Sequence, residues 1–326
     1  MRQWQVQTLG EPRDVLKLVD VPKPDVKVGQ IRIRVEAAAV NFLDILVCQG
    51  KYQEKPPLPF TPGAEIAGVV EEVGEGASLH KGQRVVAMCA LPNGGFSEYV
   101  SVSERDVYAM PESITAPEAA AHFITYQTAY YALHTCANLQ PGETLLVHAG
   151  AGGVGSAAIQ IGKAAGAVVI ATAGGAEKVD ICRRLGADEV VDYRAGSFIG
   201  VVKERTQGRG ADVVFDPVGG DVFDASRKCI SFMGRLLVIG FAGGRIADAP
   251  TNHALVKNYS IVGVHWGLFR RLMPEKVRDI EDRLVDMMLE ASIQPLIYKE
   301  YPFDTLPDAL EELATRKTWG KLILKP

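Results

Sequence analysis

Apolar and charged residues alternate early in the chain: Ile31, Ile33 and Val35 are interleaved with Arg32, Arg34 and Glu36. A period of two predicts a strand with one buried face. Short apolar runs follow at residues 68–70, 84–88 and 96–102, set apart by turn formers at 74–76, 81–82 and 93–95. Short strands punctuated in this way predict a compact β-rich domain.

The pattern changes near Pro117. Residues 116–139 contain no glycine, Pro117 suits a first helical turn, and Pro141-Gly142 would stop the helix. Six apolar runs then follow, at 144–148, 168–172, 189–192, 211–215, 236–239 and 260–264, with helical stretches between them such as 176–185. This alternation predicts βαβ units on a six-stranded parallel sheet, the doubly wound dinucleotide fold. Beyond about residue 266 the alternation ends. Residues 273–292 form a charged amphipathic pattern, 307–314 a second helix and 321–324 a last short strand. The expected organisation is a β-rich domain at 1–118, a six-stranded α/β domain at 119–266, and a segment at 267–326 that completes the first domain.

A chain of 326 residues suits two domains. Its net charge of −4 and its 7% aromatic content argue against a nucleic-acid binder. The five cysteines are at least 41 positions apart, which suits a reducing cytoplasm and provides no zinc-ribbon spacing. The N-terminal residues contain no apolar core of a signal peptide, and no run of 18 apolar residues predicts a membrane span.

The strongest chemical signal is the segment His148-Ala149-Gly150-Ala151-Gly152-Gly153-Val154-Gly155, a G-x-G-x-x-G that follows an apolar run and opens a helical one. In that context glycines permit a tight turn and close approach to a pyrophosphate, which meets the positive helix N-terminus. The next strand ends Thr172-Ala173-Gly174-Gly175 and has no carboxylate for a ribose 2′-hydroxyl. Glycine leaves room there for a 2′-phosphate, and Lys178, with Tyr193 or Arg194, supplies charge and donors. This predicts NADPH rather than NADH. His148 itself reads as a strand-end packing residue. Tyr-x-x-x-Lys, P-loop, G-x-S-x-G and H-E-x-x-H motifs are all absent, and the six histidines show no zinc-ligand spacing with the cysteines.

Residues 61–70, Thr-Pro-Gly-Ala-Glu-Ile-Ala-Gly-Val-Val, resemble the G-x-E-x-x-G-x-V signature of medium-chain dehydrogenases/reductases. Zinc-dependent members carry a metal-binding His where Ala64 stands and a Cys where Asn41 stands. The four-cysteine structural zinc lobe is also missing. With Asn41-Phe42-Leu43-Asp44, Gly50-Lys51-Tyr52 and Arg316-Lys317-Thr318-Trp319-Gly320-Lys321 in family order, the chain resembles the zinc-free quinone oxidoreductase (ζ-crystallin-like) branch.

The resemblance implies a GroES-like domain beside a Rossmann domain, NADPH in the cleft between them, a homodimer, and hydride transfer to a small electrophilic acceptor. Matching positions imply that Asn41, Phe42 and Asp44 line the nicotinamide end and that Thr128 and Tyr130 sit near its ribose. Gly152, Gly153 and Val154 would cradle the pyrophosphate. Gly174, Lys178 and Tyr193 would hold the 2′-phosphate. Gly240, Phe241, His265, Trp266 and Gly267 would flank the cofactor, and Arg316 would reach a phosphate. Two departures are Gly175, in place of a small polar residue, and Pro217, where relatives often carry Ser.

Asn41 or Tyr52 could donate to the oxygen that gains charge, and no strong general acid is identifiable. Three functions stay open. They are an NADPH-dependent quinone or alkenal reductase, an enoyl-thioester (acryloyl-CoA-like) reductase, and an NADPH-binding RNA-binding or structural protein.

Overall fold

The alternation at residues 31–35 is realised in a long strand in which Ile31, Ile33 and Val35 are buried while Arg34 faces solvent. The computed structural model describes all residues, 1–326. The chain begins with the antiparallel pair β1 (Arg2–Val6) and β2 (Leu16–Asp20), joined through the helical turn α1 (Pro12–Val15). There follow β3 (Gln30–Val40), α2 (Phe42–Cys48), β4 (Glu65–Val73), β5 (Arg84–Met88), β6 (Tyr99–Ser103) and β7 (Val107–Ala109). After α3 (Ala116–Tyr130) come β8 (Thr144–Val147), α4 (Gly153–Ala164), β9 (Val168–Ala173), α5 (Ala176–Arg184) and β10 (Glu189–Asp192). The series continues with α6 (Phe198–Arg205), β11 (Ala211–Asp216), α7 (Gly220–Ser226), β12 (Ile230–Val238), α8 (Thr251–Lys257) and β13 (Ser260–Gly263). The last elements are α9 (Trp266–Leu272), α10 (Pro274–Leu289), β14 (Ile297–Pro302), α11 (Leu306–Ala314) and β15 (Lys321–Lys325).

Two compact units result. The first comprises Met1–Ile124 and Pro295–Pro326, the second Thr125–Gln294. In the first unit a sheet runs β14-β15-β3-β4-β5-β7, with β6 also paired to β3. Its core packs Trp4, Val6, Ile31, Ile33, Phe60, Ile66, Phe96 and Leu322. The pairing of β3 with β4 is irregular between Val35 and Ala37. There a side chain on Gly68 would stand 2.1 Å from the Arg34 carbonyl oxygen, so this position of the G-x-E-x-x-G segment excludes any Cβ.

In the second unit six parallel strands run β10-β9-β8-β11-β12-β13, which is 3-2-1-4-5-6 in chain order. Its core includes Leu146, Ile170, Val214, Leu236, Phe198 and Phe223. The long helix expected at 116–139 is α-helical only to Tyr130 and continues as a wider π-helix over Tyr131–Cys136.

Residues 267–294 pack with the second unit rather than with the C-terminal segment. The apolar stripe of α10, Val277, Ile280, Leu284 and Met287, is buried, and Gln127 Nε2 donates to the Val277 carbonyl and to Glu281. An amphipathic helix docks on whichever surface complements its stripe, and that partner is not written in the stripe itself.

Candidate functional site

In the second unit the candidate residues other than Thr128 and Tyr130 lie after the carboxyl ends of parallel strands, so the topology gathers them along one edge of the sheet. Gly150 to Gly155 follow β8, Gly174 follows β9, Tyr193 follows β10, Gly240 and Phe241 follow β12, and His265 follows β13. Gly152 is the N-cap of α4 and offers no capping side chain, so the amides of Gly153, Val154 and Gly155 form an uncapped first turn. A Cβ on Gly155 would stand 2.2 Å from the Ala149 carbonyl oxygen. These features fit a bound pyrophosphate: a positive helix end that only backbone approaches.

At the end of β9 a Cβ on Gly174 would meet the Tyr193 hydroxyl at 2.4 Å, and one on Gly175 would meet the Arg194 guanidinium at 3.1 Å. Asp192 accepts the Gly175 and Arg194 amides and thereby shapes this turn. Burial, and then the neighbouring Arg194, lower the pKa of Lys178. Two cations held side by side at a strand end suit a dianionic group.

Phe241 is exposed, and its loop is tied down by Ala242 and Gly243, whose amides donate to the carbonyls of Pro217 and Val218. The Pro217 position therefore contributes its carbonyl to loop structure. His265 occupies the N-cap position of α9 without a side-chain cap bond, Trp266 is buried and Gly267 is exposed. Thr128 and Tyr130 are half-buried on the last turn of α3, with the Tyr130 ring 4.3 Å from that of His134.

His148 is buried between Thr172 Oγ1 (3.1 Å) and Ser226 Oγ (2.8 Å), and burial pushes its pKa down to about 3. It is a neutral strut beneath the glycine loop, in line with the packing role read from the sequence.

In the first unit Asn41, Phe42 and Asp44 share the first turn of α2. Phe42 is exposed, whereas Asp44 is buried. Asp44 accepts the Asn41 amide at 2.8 Å and the Gly63 amide at 3.1 Å. Burial pushes its carboxyl up to about 7, against the pull of those two amides and of Lys321. Tyr52 is half-buried against the core of this unit, and burial, followed by Glu54 and Asp44, raises its phenol. Arg316 is exposed on the left-handed residue that ends the turn after α11.

Two residues were given no role in the sequence and prove central here. Glu65 is fully buried, and one of its oxygens takes both Asn41 Nδ2 (2.9 Å) and Lys321 Nζ (2.8 Å). Its other oxygen accepts the Ile124 amide at 2.7 Å. Lys321 also donates to Asn41 Oδ1 at 2.6 Å. The signals were present: a carboxylate in an otherwise apolar strand start, and a lysine heading the apolar run Leu-Ile-Leu. Both hydrogens of Asn41 Nδ2 are engaged, by Glu65 and by the Ala39 carbonyl, so the amide has no donor left for a substrate oxygen.

Nowhere do three or more His, Cys, Asp or Glu side chains converge as metal ligands, and no helix is long and apolar enough to cross a membrane.

A GroES-like β unit joined to a doubly wound sheet with an uncapped glycine turn defines an oxidoreductase of the two-domain dehydrogenase class. Residues 27–112 match the alcohol dehydrogenase GroES-like domain, and residues 153–286 match the zinc-binding dehydrogenase family. The bovine (Bos taurus) quinone oxidoreductase-like protein 2 is 37% identical over 326 residues, covering 99% of this chain and 93% of the relative. The Escherichia coli quinone oxidoreductase complexed with NADPH superposes with a TM-score of 0.94 at 29% identity, covering 100% of both chains. The CurK enoyl reductase superposes at 0.89 with 27% identity, covering 99% of this chain and 98% of that one. The chain belongs to the medium-chain dehydrogenase/reductase superfamily, among its quinone oxidoreductase-like members.

Proposed function

We propose that the protein is an NADPH-dependent, zinc-free reductase of quinones or α,β-unsaturated carbonyls. The observation that carries this reading is the end of β9, where Gly174 and Gly175 replace the carboxylate of NAD-type sites, Tyr193 and Arg194 crowd round them, and Lys178 lies close enough to Arg194 to feel its charge. When bound, NADPH supplies a hydride to the acceptor carbon or quinone oxygen, and one proton from water completes the reduced product. Gly153, Val154 and Gly155 hold the pyrophosphate through backbone amides. Lys178 and Tyr193 hold the 2′-phosphate, with Arg194 adding charge. Thr128, Tyr130, Gly240, Phe241, His265, Trp266, Gly267 and Arg316 complete the cofactor's surroundings, as the family resemblance implies. Phe42 and Asp44 stand at the nicotinamide end. Tyr52, a neutral phenol whose pKa burial raises above its ordinary value, is the side-chain donor to the oxygen that gains charge. Asn41 orients the turn that carries Phe42 and Asp44.

The assembly proposed is a homodimer formed through β13. This is an edge strand of the parallel sheet, with Ile261 exposed on it and Phe232, Leu255 and Val256 exposed on neighbouring elements. Light scattering should return the mass of two chains.

The decisive experiment titrates the purified protein with NADPH and NADH by nicotinamide fluorescence. NADPH oxidation is then followed with 1,4-benzoquinone, 9,10-phenanthrenequinone, a 2-alkenal and acryloyl-CoA. Tighter binding of NADPH and turnover of a quinone or alkenal are expected. Turnover of acryloyl-CoA alone would move the assignment to an enoyl-thioester reductase, as the CurK likeness allows. Binding without turnover, together with salt-sensitive retention on RNA, would replace the enzymatic reading. Tighter binding of NADH would overturn the role given to Lys178.

A further inference from the structure

We propose that Lys321 is a positioning residue for the nicotinamide-facing turn of α2, acting through Asn41 and Glu65. The inference deepens the proposed function and rests on its placement of that turn. Sheet register brings the three together. β15 pairs antiparallel with β3 with Leu322 opposite Val40, so the next step sets Lys321 opposite Asn41. β4 pairs with β3 with Glu65 opposite Ala39. The result is a closed triangle in which Lys321 Nζ donates to Asn41 Oδ1 (2.6 Å) and Glu65 (2.8 Å), and Asn41 Nδ2 donates to Glu65 (2.9 Å).

Both charged side chains are out of water, at 6% exposure for Lys321 and 0% for Glu65. Turning the Asn41 amide over would place its NH₂ against an ammonium and its oxygen against a carboxylate. Only one orientation survives in a medium that screens charge so little. The backbone amide of that same Asn41 donates to Asp44, which also accepts the Gly63 amide, so the clamp extends through α2 to the loop before β4. Removing the ammonium leaves Asn41 Oδ1 without its donor and takes away the charge that fixes the orientation of the amide, and so loosens the turn that carries Phe42 and Asp44. Hydride transfer is sensitive to displacements of an ångström or less.

The test removes both charges together, in E65Q/K321M, so that no buried ion is left uncompensated. In the ¹⁵N spectrum of the cofactor-free protein the Asn41 side-chain amide, assigned by its loss in N41A, should exchange slowly in the wild type. It should exchange fast in the double variant. With NADPH and 1,4-benzoquinone, kcat should fall about ten- to a hundredfold, while NADPH affinity stays within about twofold, a change too small to involve cofactor contacts. Because Lys321 acts through Asn41, adding N41A to the double variant should cost little more than N41A alone. The proposal is overturned by an unchanged Asn41 exchange rate, by wild-type kcat in the double variant, or by effects of N41A and E65Q/K321M that multiply. A wild-type protein that turns over no acceptor sinks the proposed function instead. The exchange measurement then still decides whether Lys321 holds Asn41, and fast exchange in the wild type overturns that without any variant.

Discussion

The two units build their sites from opposite materials. Around α2 the first unit relies on side chains: a buried ammonium and a buried carboxylate with an amide locked between them, and the buried carboxyl of Asp44 beside them. At the glycine turn after β8 the second unit relies on backbone. Glycines make room there, amides point outward, and the one buried histidine beneath them is neutral. The difference teaches where each region is vulnerable. A charge network in a poorly screening interior fails when one member is lost, whereas a backbone cradle fails when atoms are added.

The largest effect should come from breaking the network on one side only. Lys321→Met leaves Glu65 buried with only the neutral donors Asn41 Nδ2 and the Ile124 amide, and should cost about 3–5 kcal/mol in urea unfolding. E65Q/K321M should recover most of that loss. A single variant within about 1 kcal/mol of wild type, the scale of an exposed pair, would mean that the first unit does not depend on this pairing.

Next, Lys178→Ala should weaken NADPH by about 1.5–3 kcal/mol, the size of a charge-assisted hydrogen bond, and leave NADH untouched. Fluorescence titration of both nucleotides checks it, and an equal loss for the two would remove the 2′-phosphate role. In the cradle, Gly155→Ala should cost about 1–3 kcal/mol through overpacking against Ala149 and should weaken both nucleotides alike. Wild-type affinity with unchanged stability would show that the turn relaxes around a methyl group.

The smallest effect is a contrast in pH dependence. Folded Asp44 keeps its proton up to about pH 7 because it is buried, whereas an unfolded aspartate loses it near about pH 4. The folded chain therefore binds the extra proton in between, and this term lowers stability as pH rises across that window. His148 behaves in reverse. It stays neutral in the fold down to about pH 3, while the unfolded imidazole gains a proton below about pH 6.5, so this term raises stability as pH rises. Between about pH 4 and 6.5 the two oppose each other. D44N should therefore steepen the rise in stability between those pH values, measured by urea unfolding. An unchanged slope would show that Asp44 is already ionised there.

Local pattern alone set much of this protein. Alternation at residues 31–35, the six apolar runs from 144 to 264 and the glycine turn at 150–155 each state their own conformation, because backbone geometry and burial repeat on the scale of a few residues. The absence of a carboxylate after β9 was equally plain from the residues themselves. The destination of α10 was not legible, since an apolar stripe does not name the surface that receives it. Nor was the loss of Asn41 as a donor. That follows from Lys321, 280 positions away, arriving opposite it through the register of β15 on β3, and from Glu65 arriving through β4. Sequence wrote the elements; only the pairing of strands distant in the chain decided which buried charges meet, because electrostatics in a dry interior acts through space and not along the backbone.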